Sequence, residues 1–280
     1  MKKSLFAFIA IALTLSCFLA PLQSEAKKRT ASKPATATKE QNRSPIKNFY
    51  RSLSKRRSNN RADYPYLSDL EFANFRPVTT TGMGKGKLYR SSSPVNPWGN
   101  RNLIADNAAR NAGIKTFLNL SDTERKLRNY AGFKDSYYSS QKIVLFGLNW
   151  KYQSEEFTQK LARGVRLMAH SQPPFLIHCD MGKDRAGFVC AILECLMGAS
   201  AEEVTADYIV SFYNYFGIKP NTDEYLLVVN NEIRPFLARA FGVKDILNIN
   251  LSDAAERYLL NISVSANDIS ALRHKLGSIP

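Results

Sequence analysis

The sequence of 280 residues predicts an α/β fold, in which helices flank a central, mostly parallel sheet of four to five strands and a helical part follows at the C-terminus. Two observations predict this fold. Up to Gly198, short apolar and β-prone runs alternate with helical patterns, which is typical of a parallel sheet. After Gly198 every pattern is helical. The residues from Asp63 onward are numerous enough to bury a substantial core in one domain.

The predicted strands are short, and helical patterns separate them. We place strands at 87–90, 116–120, 143–148 and 175–178. The interleaved helices are predicted at 102–112, 155–169 and 185–197, and the C-terminal helices at 202–215, 222–241, 253–260 and 266–276. A Ser, Asn or Asp stands shortly before each C-terminal helix and can cap its N-terminus.

Residues 1–26 have the pattern of a signal peptide. Lys2 and Lys3 precede a mostly apolar run from Leu5 to Ala20, and Ser24 and Ala26 supply small residues at the expected cleavage site. The apolar run is short for a membrane span, although an uncleaved anchor is the alternative. We therefore expect a periplasmic or secreted protein.

Residues 27–62 are strongly basic. They hold twelve Lys and Arg residues and a single acidic residue, Glu40, with few side chains able to build a core. This composition predicts a disordered linker, so that the folded domain comprises residues 63–280. The linker is either a solvated spacer or a contact to an anionic surface, and nothing in it indicates a specific nucleic acid.

The segment from Phe175 to Gly187 predicts an anion site. A buried strand ends at Cys179, and a helix begins at about Arg185. The amides of such a tight loop and the positive end of the helix can bind the oxygens of a phosphate. Arg185 can hold two of these oxygens with its planar guanidinium. A thiol at a helix N-terminus ionises more readily, and a thiolate beneath a bound phosphate is placed for in-line attack.

The run HCDMGKDRAG resembles the Cys-(five residues)-Arg signature of cysteine-dependent phosphatases, in the GKDR form of bacterial tyrosine phosphatases. Further likeness lies in Leu88–Ser92, Gly113–Leu120, Ala255–Leu260 and Ile269–Leu276. The resemblance implies a fold like that of protein tyrosine phosphatases and the hydrolysis of phosphate monoesters, without cofactor or metal. It implies Cys179, Arg185 and Asp184 as catalytic residues, and a phosphate-binding loop made of Asp180, Met181, Gly182, Lys183, Asp184 and Arg185.

The sequence offers several candidates for the general acid. Many relatives carry an aspartate on a loop before the last strand, but residues 148–156 contain none. The resemblance to GKDR enzymes implies Asp184. Asp122 is the alternative, although it could instead cap a helix, and Glu155 or Glu156 are further candidates.

The other residues of the motif have expected roles of their own. Lys183 could add positive charge beside the phosphate, as in similar enzymes that also act on phosphoinositides. His178 is either a steadying hydrogen-bond partner of the loop or a plain strand-end residue. Gly182 and Gly187 allow a positive φ or a close approach of backbone. Asp180 and Met181 are expected to contribute their amides rather than their side chains.

Ala186 departs from the family pattern, which usually has Ser or Thr after the arginine. The missing hydroxyl predicts slow hydrolysis of the phosphocysteine intermediate. It also leaves open an inactive phosphate-binding module, and a sulfurtransferase of the rhodanese type is a third hypothesis. The phosphorylated substrate, whether phosphotyrosine, phosphoserine or phosphothreonine, or phosphoinositide, is not indicated.

The remaining cysteines and the histidines argue against metal chemistry. Cys190 and Cys195 lie in an apolar helical stretch and are expected to be buried core thiols. The sequence has no CxxC pair, and its three histidines are scattered. We therefore expect neither a structural zinc nor a metallophosphatase site.

Overall fold

The structure, a computed structural model, describes residues 36–277. Its centre is a sheet made of β1 (Arg76–Pro77), β2 (Leu88–Ser91), β3 (Thr116–Asn119), β4 (Lys142–Leu145) and β5 (Phe175–His178). The strand order is β1-β2-β5-β3-β4, and all strands are parallel except the edge strand β1. The predicted sheet is confirmed. The sequence does not indicate β1, because two residues show no periodicity.

β5 is the central strand, and all four of its side chains are buried. Phe175 and Ile177 face the larger hydrophobic core, whereas Leu176 faces a smaller core on the other side of the sheet. The register places His178 beside Ser91 of β2 and Asn119 of β3. Three strands therefore end together at the carboxyl edge of the sheet, which is the edge where α/β proteins bind ligands.

Helices surround this sheet on both faces and continue to the C-terminus. They are α1 (Thr36–Arg56), α2 (Asp69–Phe72), α3 (Asn102–Asn111), α4 (Glu124–Arg128), α5 (Glu155–Ala169), α6 (Asp184–Met197), α7 (Ala201–Phe216), α8 (Asp223–Asn231), α9 (Ile233–Phe241), α10 (Leu251–Asn261) and α11 (Ala266–Leu276). Short 3-10 turns lie at Arg61–Asp63 and Tyr138–Ser140.

α6 lies at the centre of the larger core. Twelve of its residues, Arg185 to Leu196, are buried, because α7, α9, α10, α11 and the sheet cover it. A helix surrounded in this way is apolar on all sides, which explains the continuous apolar run in its sequence. This packing fixes the N-terminus of α6 at the carboxyl edge of the sheet.

The single helix predicted at 222–241 is wrong, because the chain breaks at Glu232. That residue has φ −118° and ψ −86° and separates α8 from α9. The reason is Pro235, which has no N–H to continue the helical hydrogen bonds and is tolerated only in the first turn of a new helix. The other predicted helices agree with the structure to within two residues.

The disordered linker predicted at 27–62 is also wrong over its second part. α1 runs to Arg56, and Leu53 is buried in the larger core with Phe49 and Tyr50 packed beside it. The guanidinium of Arg56 donates to Glu224, with a shortest N–O distance of 2.5 Å. The compact unit that holds the sheet begins at Pro45 rather than Asp63. A few apolar residues at helical spacing were enough to attach a segment whose overall composition is polar.

The predicted signal peptide at 1–26 lies outside the described residues. Within residues 36–277, no helix has the length and apolar character needed to cross a membrane.

Candidate active site

Residues 179–183 form a tight loop between β5 and α6. Cys179 is the first residue after the strand, and Asp184 is the first residue of the helix. Gly182 has φ +67°, and a Cβ atom at this position would lie 2.0 Å from the carbonyl oxygen of Ser91. Only glycine fits here, because the backbone is left-handed and packed against the end of β2.

The carbonyl groups of this loop are held from outside. Hydrogen bonds reach them from the Ser93 amide to Asp180, from Asn74 and Tyr215 to Met181, and from Arg90 to Gly182 and Lys183. Their lengths lie between 2.9 and 3.2 Å. With four consecutive carbonyls bonded outward, the loop can present its amides to the opposite side, which is the geometry of an anion-binding loop.

Arg90 is the main support of the loop, and sequence reasoning missed it. Its side chain is fully buried and donates to Asp207 at 2.5 Å as well as to the loop. Burial alone would raise the pKa of Asp207, but Arg76 and Arg90 hold it at about 2. An arginine within the apolar strand β2 is the signal that could have indicated this ion pair, since a buried charge requires a partner.

The loop borders a cavity of about 430 Å³. Its lining residues are Asn96, Trp98, Lys126, Tyr130, Trp150, Cys179, Asp180, Met181, Asp184 and Arg185. Cys179 is almost fully buried, yet it forms part of this wall together with Arg185. The structure thus brings Cys179, the predicted nucleophile, and Arg185, which is predicted to bind the phosphate oxygens, into one cavity at the N-terminus of α6.

The guanidinium of Arg185 already makes hydrogen bonds to other residues of the protein. It donates from Nη1 to the carbonyl oxygen of Leu148 at 3.0 Å and from Nη2 to Asp180 at 2.5 Å. Its guanidinium carbon lies 4.7 Å from the ring centre of Trp150. The Nε atom is buried and has no hydrogen-bond acceptor among the described residues. The carboxylate of Asp180 thus occupies one of the donors expected to bind phosphate.

Asp184 and Asp122 differ in their suitability as a general acid. Asp184 lines the cavity with Cys179, and its carboxylate is paired with Lys183. Asp122 is buried, and Lys126, Asn119 and Tyr130 donate to it at 2.8 to 2.9 Å. Burial would raise the pKa of Asp122, but these three donors bring it below its ordinary value. Asp184 belongs to the cavity wall beside Cys179 and Asp122 does not, so the geometry favours Asp184 as the proton donor. Neither Glu155 nor Glu156 belongs to the cavity wall.

The side chains of Lys183 and Asp180 do not lie where the sequence suggested. Lys183 is buried, and its amine lies 4.1 Å from the ring centre of Phe212 rather than in the cavity. Asp180 contributes its side chain as well as its backbone, because the carboxylate binds Arg185. The amine of Lys183 therefore pairs with Asp184 instead of lining the cavity itself, and the carboxylate of Asp180 places an unexpected negative charge in the cavity.

His178 belongs to a buried hydrogen-bond network behind the loop. Its Nε2 atom lies 3.1 Å from the hydroxyl of Tyr138, which accepts a hydrogen bond from Asn119 at 2.9 Å. Burial is the main influence and lowers the pKa of His178 to about 4, so the ring is neutral at physiological pH. The network joins the ends of β3 and β5 below the loop.

Cys190 and Cys195 are free thiols in the core, as the apolar pattern of α6 predicts. Burial raises the pKa of both well above the ordinary value. They are therefore unsuited to act as nucleophiles. Within residues 36–277, no group of three or more His, Cys, Asp or Glu residues could hold a metal ion.

A larger groove of about 880 Å³ adjoins the cavity, and Trp150 and Asp184 line both. Its walls include the aromatic rings of Tyr152, Phe188 and Phe236. Arg239 of α9 also lines the groove. A substrate whose phosphate enters the smaller cavity can place the rest of its body along this groove.

The part of the chain that contains the loop is similar to known proteins. Residues 148–277, which include β5, the loop and α6 to α11, match the model of the tyrosine phosphatase family. This part of the chain is tyrosine-phosphatase-like. The match agrees with the resemblance seen in the motif, and it leaves β1 to β4 outside the matched residues.

One curated protein that the chain resembles is a tyrosine-protein phosphatase of Nostoc commune. It is 25% identical, and the alignment covers 51% of this chain and 59% of that protein. Among solved structures, the core catalytic domain of the PP-IP phosphatase SIW14 of S. cerevisiae, in complex with citrate, aligns with 20% identity and a TM-score of 0.37 over 57% of this chain and 85% of its own. A second structure of the Siw14 catalytic core aligns with 18% identity and a TM-score of 0.35 over 56% and 91%.

Proposed function

We propose that the protein is a phosphatase that hydrolyses phosphate monoesters through a phosphocysteine intermediate on Cys179. The observation that carries this proposal is the shared cavity of Cys179 and Arg185 at the N-terminus of α6, beneath a loop whose carbonyls are bonded away from it. Donors arranged in this way before the reaction stabilise the charge that develops on a transferring phosphoryl group. The match to the tyrosine phosphatase family supports the proposal.

The first step forms the phosphocysteine. The thiolate of Cys179 attacks phosphorus, and the bond from phosphorus to the leaving oxygen breaks as Asp184 gives that oxygen a proton. Arg185 binds the equatorial phosphate oxygens with its Nε and Nη2 atoms, so the carboxylate of Asp180 must give up or share its bond to Nη2. The buried contact of Nη1 with Leu148 keeps the guanidinium in orientation.

The second step releases phosphate. Water attacks phosphorus, the carboxylate of Asp184 accepts a proton from it, and the sulfur leaves as a thiolate. The residue after Arg185 is Ala186, which is fully buried and has no hydroxyl for the departing sulfur. This step is therefore slow relative to the first.

The aromatic rim of the cavity favours an aryl phosphate such as phosphotyrosine. Trp98, Tyr130 and Trp150 all line it, and both tryptophans are exposed. Aromatic side chains at the mouth of a phosphate site can stack on the ring of a phenyl phosphate. Phosphoserine, phosphothreonine and phosphoinositides are the substrates to compare with phosphotyrosine.

Phosphate release by the purified protein tests the proposal. We expect turnover of p-nitrophenyl phosphate and of a phosphotyrosine peptide, and its loss in Cys179→Ser. Cys195→Ala is the matched control, because it removes a buried thiol outside the cavity, and it should keep most of the activity. Absence of phosphate release from all substrates, or full activity in Cys179→Ser, would refute the proposal. Formation of thiocyanate instead of phosphate would indicate a sulfurtransferase.

Ala186 also favours a second function, in which the protein binds phosphate esters with little turnover. The distinction lies in the rate of the second step. A stable phosphocysteine with no steady-state release of phosphate would favour the binding function.

We also propose that residues 1–26 direct export to the periplasm or the exterior and are then removed. N-terminal sequencing of the protein recovered from its native cells tests this proposal, with a first residue near Lys27 expected.

A further inference from the structure

Asp180 holds a carboxylate inside the cavity where phosphate is proposed to bind. Its Oδ2 atom lies 2.5 Å from Nη2 of Arg185. Its Oδ1 atom accepts a hydrogen bond from Asn96 at 3.0 Å and lies 3.5 Å from the amine of Lys126. All four residues line the same cavity, so the carboxylate is fixed by three donors on different elements.

The charges in the cavity wall cancel. Lys126 and Arg185 are its cations, and Asp180 and Asp184 are its carboxylates. Lys126 is in addition shared with the buried Asp122 at 2.9 Å. Lys183, the further cation of the loop, is directed toward Phe212 and paired with Asp184. The thiolate that the proposed mechanism requires of Cys179 adds a further negative charge, which leaves no surplus positive charge for a second phosphate group.

We infer that Asp180 is a specificity-determining residue, which makes the cavity accept an isolated phosphate monoester and reject esters that carry further phosphate groups. The inference rests on the proposed function and names its substrate class. A single phosphate compensates for the displaced carboxylate by binding Arg185 and the loop amides. An additional phosphate group on the same small molecule has no free cation of the cavity wall to bind and is repelled by Asp180. The adjoining groove adds no surplus positive charge, because Lys151 and Arg239 line it together with Asp184 and Glu232.

The substrate preference of Asp180→Asn tests this inference. Asparagine keeps the shape of the side chain and removes its charge. We expect kcat/KM for inositol hexakisphosphate, relative to kcat/KM for p-nitrophenyl phosphate, to rise by about tenfold or more, as the removal of one like charge at close range implies. The gain should shrink at high salt, because salt screens the repulsion. A purely structural role of Asp180 would not give this salt dependence.

Asp223→Asn is the matched control, because it removes the same charge from an exposed position on α8 that is outside the cavity. We expect it to leave the ratio of the two kcat/KM values within about twofold of the original, as is usual for a distant, solvent-screened charge. An unchanged ratio in Asp180→Asn would overturn the inference. So would a wild-type protein that already prefers inositol hexakisphosphate to p-nitrophenyl phosphate.

Binding measurements keep the inference separate from the proposed function. In Cys179→Ser, titration calorimetry gives the Kd of inorganic phosphate and of inositol hexakisphosphate without turnover. Addition of Asp180→Asn should lower the Kd of inositol hexakisphosphate by a factor about tenfold larger than the factor by which it lowers the Kd of phosphate. Equal tightening of both would overturn the inference. If the wild-type protein releases no phosphate from any ester, the proposed function fails, while this comparison of affinities still decides the role of Asp180.

Discussion

Asp184 occupies the first position of α6 and lines both the cavity and the adjoining groove. In the proposed mechanism it gives its proton to the leaving oxygen from this position. Asp122 lies outside the cavity wall, and its carboxylate is bound to three donors. The two aspartates therefore differ in their expected ability to protonate the leaving oxygen. Rates for leaving groups that need a proton and for those that do not can measure this difference.

We predict that Asp184→Asn lowers kcat by about 10²-fold or more for an alkyl phosphate, in line with the usual contribution of a general acid. The loss should be much smaller for p-nitrophenyl phosphate, because nitrophenolate leaves without a proton. Asp122→Asn is the control, and it should change both rates by the same factor. If Asp122→Asn alone reproduces the selective loss, the acid is Asp122.

Ala186 gives a second prediction at the scale of one residue. Ala186→Ser should supply the hydroxyl that stabilises the departing sulfur and raise steady-state kcat by about three- to tenfold, the value of one hydrogen bond. The wild-type protein should show a rapid burst of nitrophenol followed by a slower phase. Stopped-flow absorbance detects both. A wild type without a burst, together with an unaffected kcat in the variant, would contradict the assignment of the slow step.

At the scale of elements, the ends of β3 and β5 are joined by His178, Tyr138 and Asn119. His178 is buried with its pKa lowered to about 4, whereas in the unfolded chain it titrates near its ordinary value of 6.5. The unfolded state thus binds a proton between these values and the folded state does not. Stability due to the neutral ring is present above pH 6.5 and is lost as the pH falls toward 4.

We predict that the free energy of unfolding of the wild type falls by roughly 2.5 kcal/mol more than that of His178→Asn between pH 7.5 and pH 4.5, as linkage requires. Urea denaturation at the two pH values measures the difference. The comparison uses the change in the free energy of unfolding between the two pH values for each protein. Any loss of packing that the variant has at both pH values cancels in this change. Parallel stability curves for the two proteins would show that His178 is not buried in its neutral form.

The elements β2 to β5 and α5 to α7 could be predicted from the sequence, because each has a local apolar period or, in α6, a continuous apolar run, and most have a capping or turn residue. The loop could be predicted as an anion site from the order strand, cysteine, glycine, arginine and helix. The hydrogen bonds that support the loop from outside could not be predicted. Arg90 and Gly182 are 92 positions apart, and no local pattern records a contact of that range. The same holds for the direction in which Lys183 and Asp180 point.

At the scale of the whole molecule, the folded unit extends further toward the N-terminus than composition suggests. Leu53 in α1 is only 3% exposed and belongs to the larger core. The segment 27–62 is so basic that its average hydropathy hides this one apolar face. Composition describes a segment as a whole, whereas docking depends on a few side chains at helical spacing.

We predict that Leu53→Ala lowers the free energy of unfolding by about 2–4 kcal/mol, the usual result of emptying a buried leucine site. Leu103→Ala is the control, since Leu103 is 73% exposed, and it should change stability by less than about 0.5 kcal/mol. Chemical denaturation of both variants measures this. Equal stability of Leu53→Ala and wild type would mean that α1 contributes nothing to the fold.

The proposed mechanism depends most on a covalent bond between phosphorus and the sulfur of Cys179. The most direct measurement mixes the wild-type protein with an aryl phosphate, stops the reaction with denaturant within the burst and locates the phosphoryl group by peptide mass spectrometry. The account predicts one phosphoryl group on the peptide that contains Cys179, and none in Cys179→Ser. Release of nitrophenol with the phosphoryl group on a different residue, or on none, would contradict it.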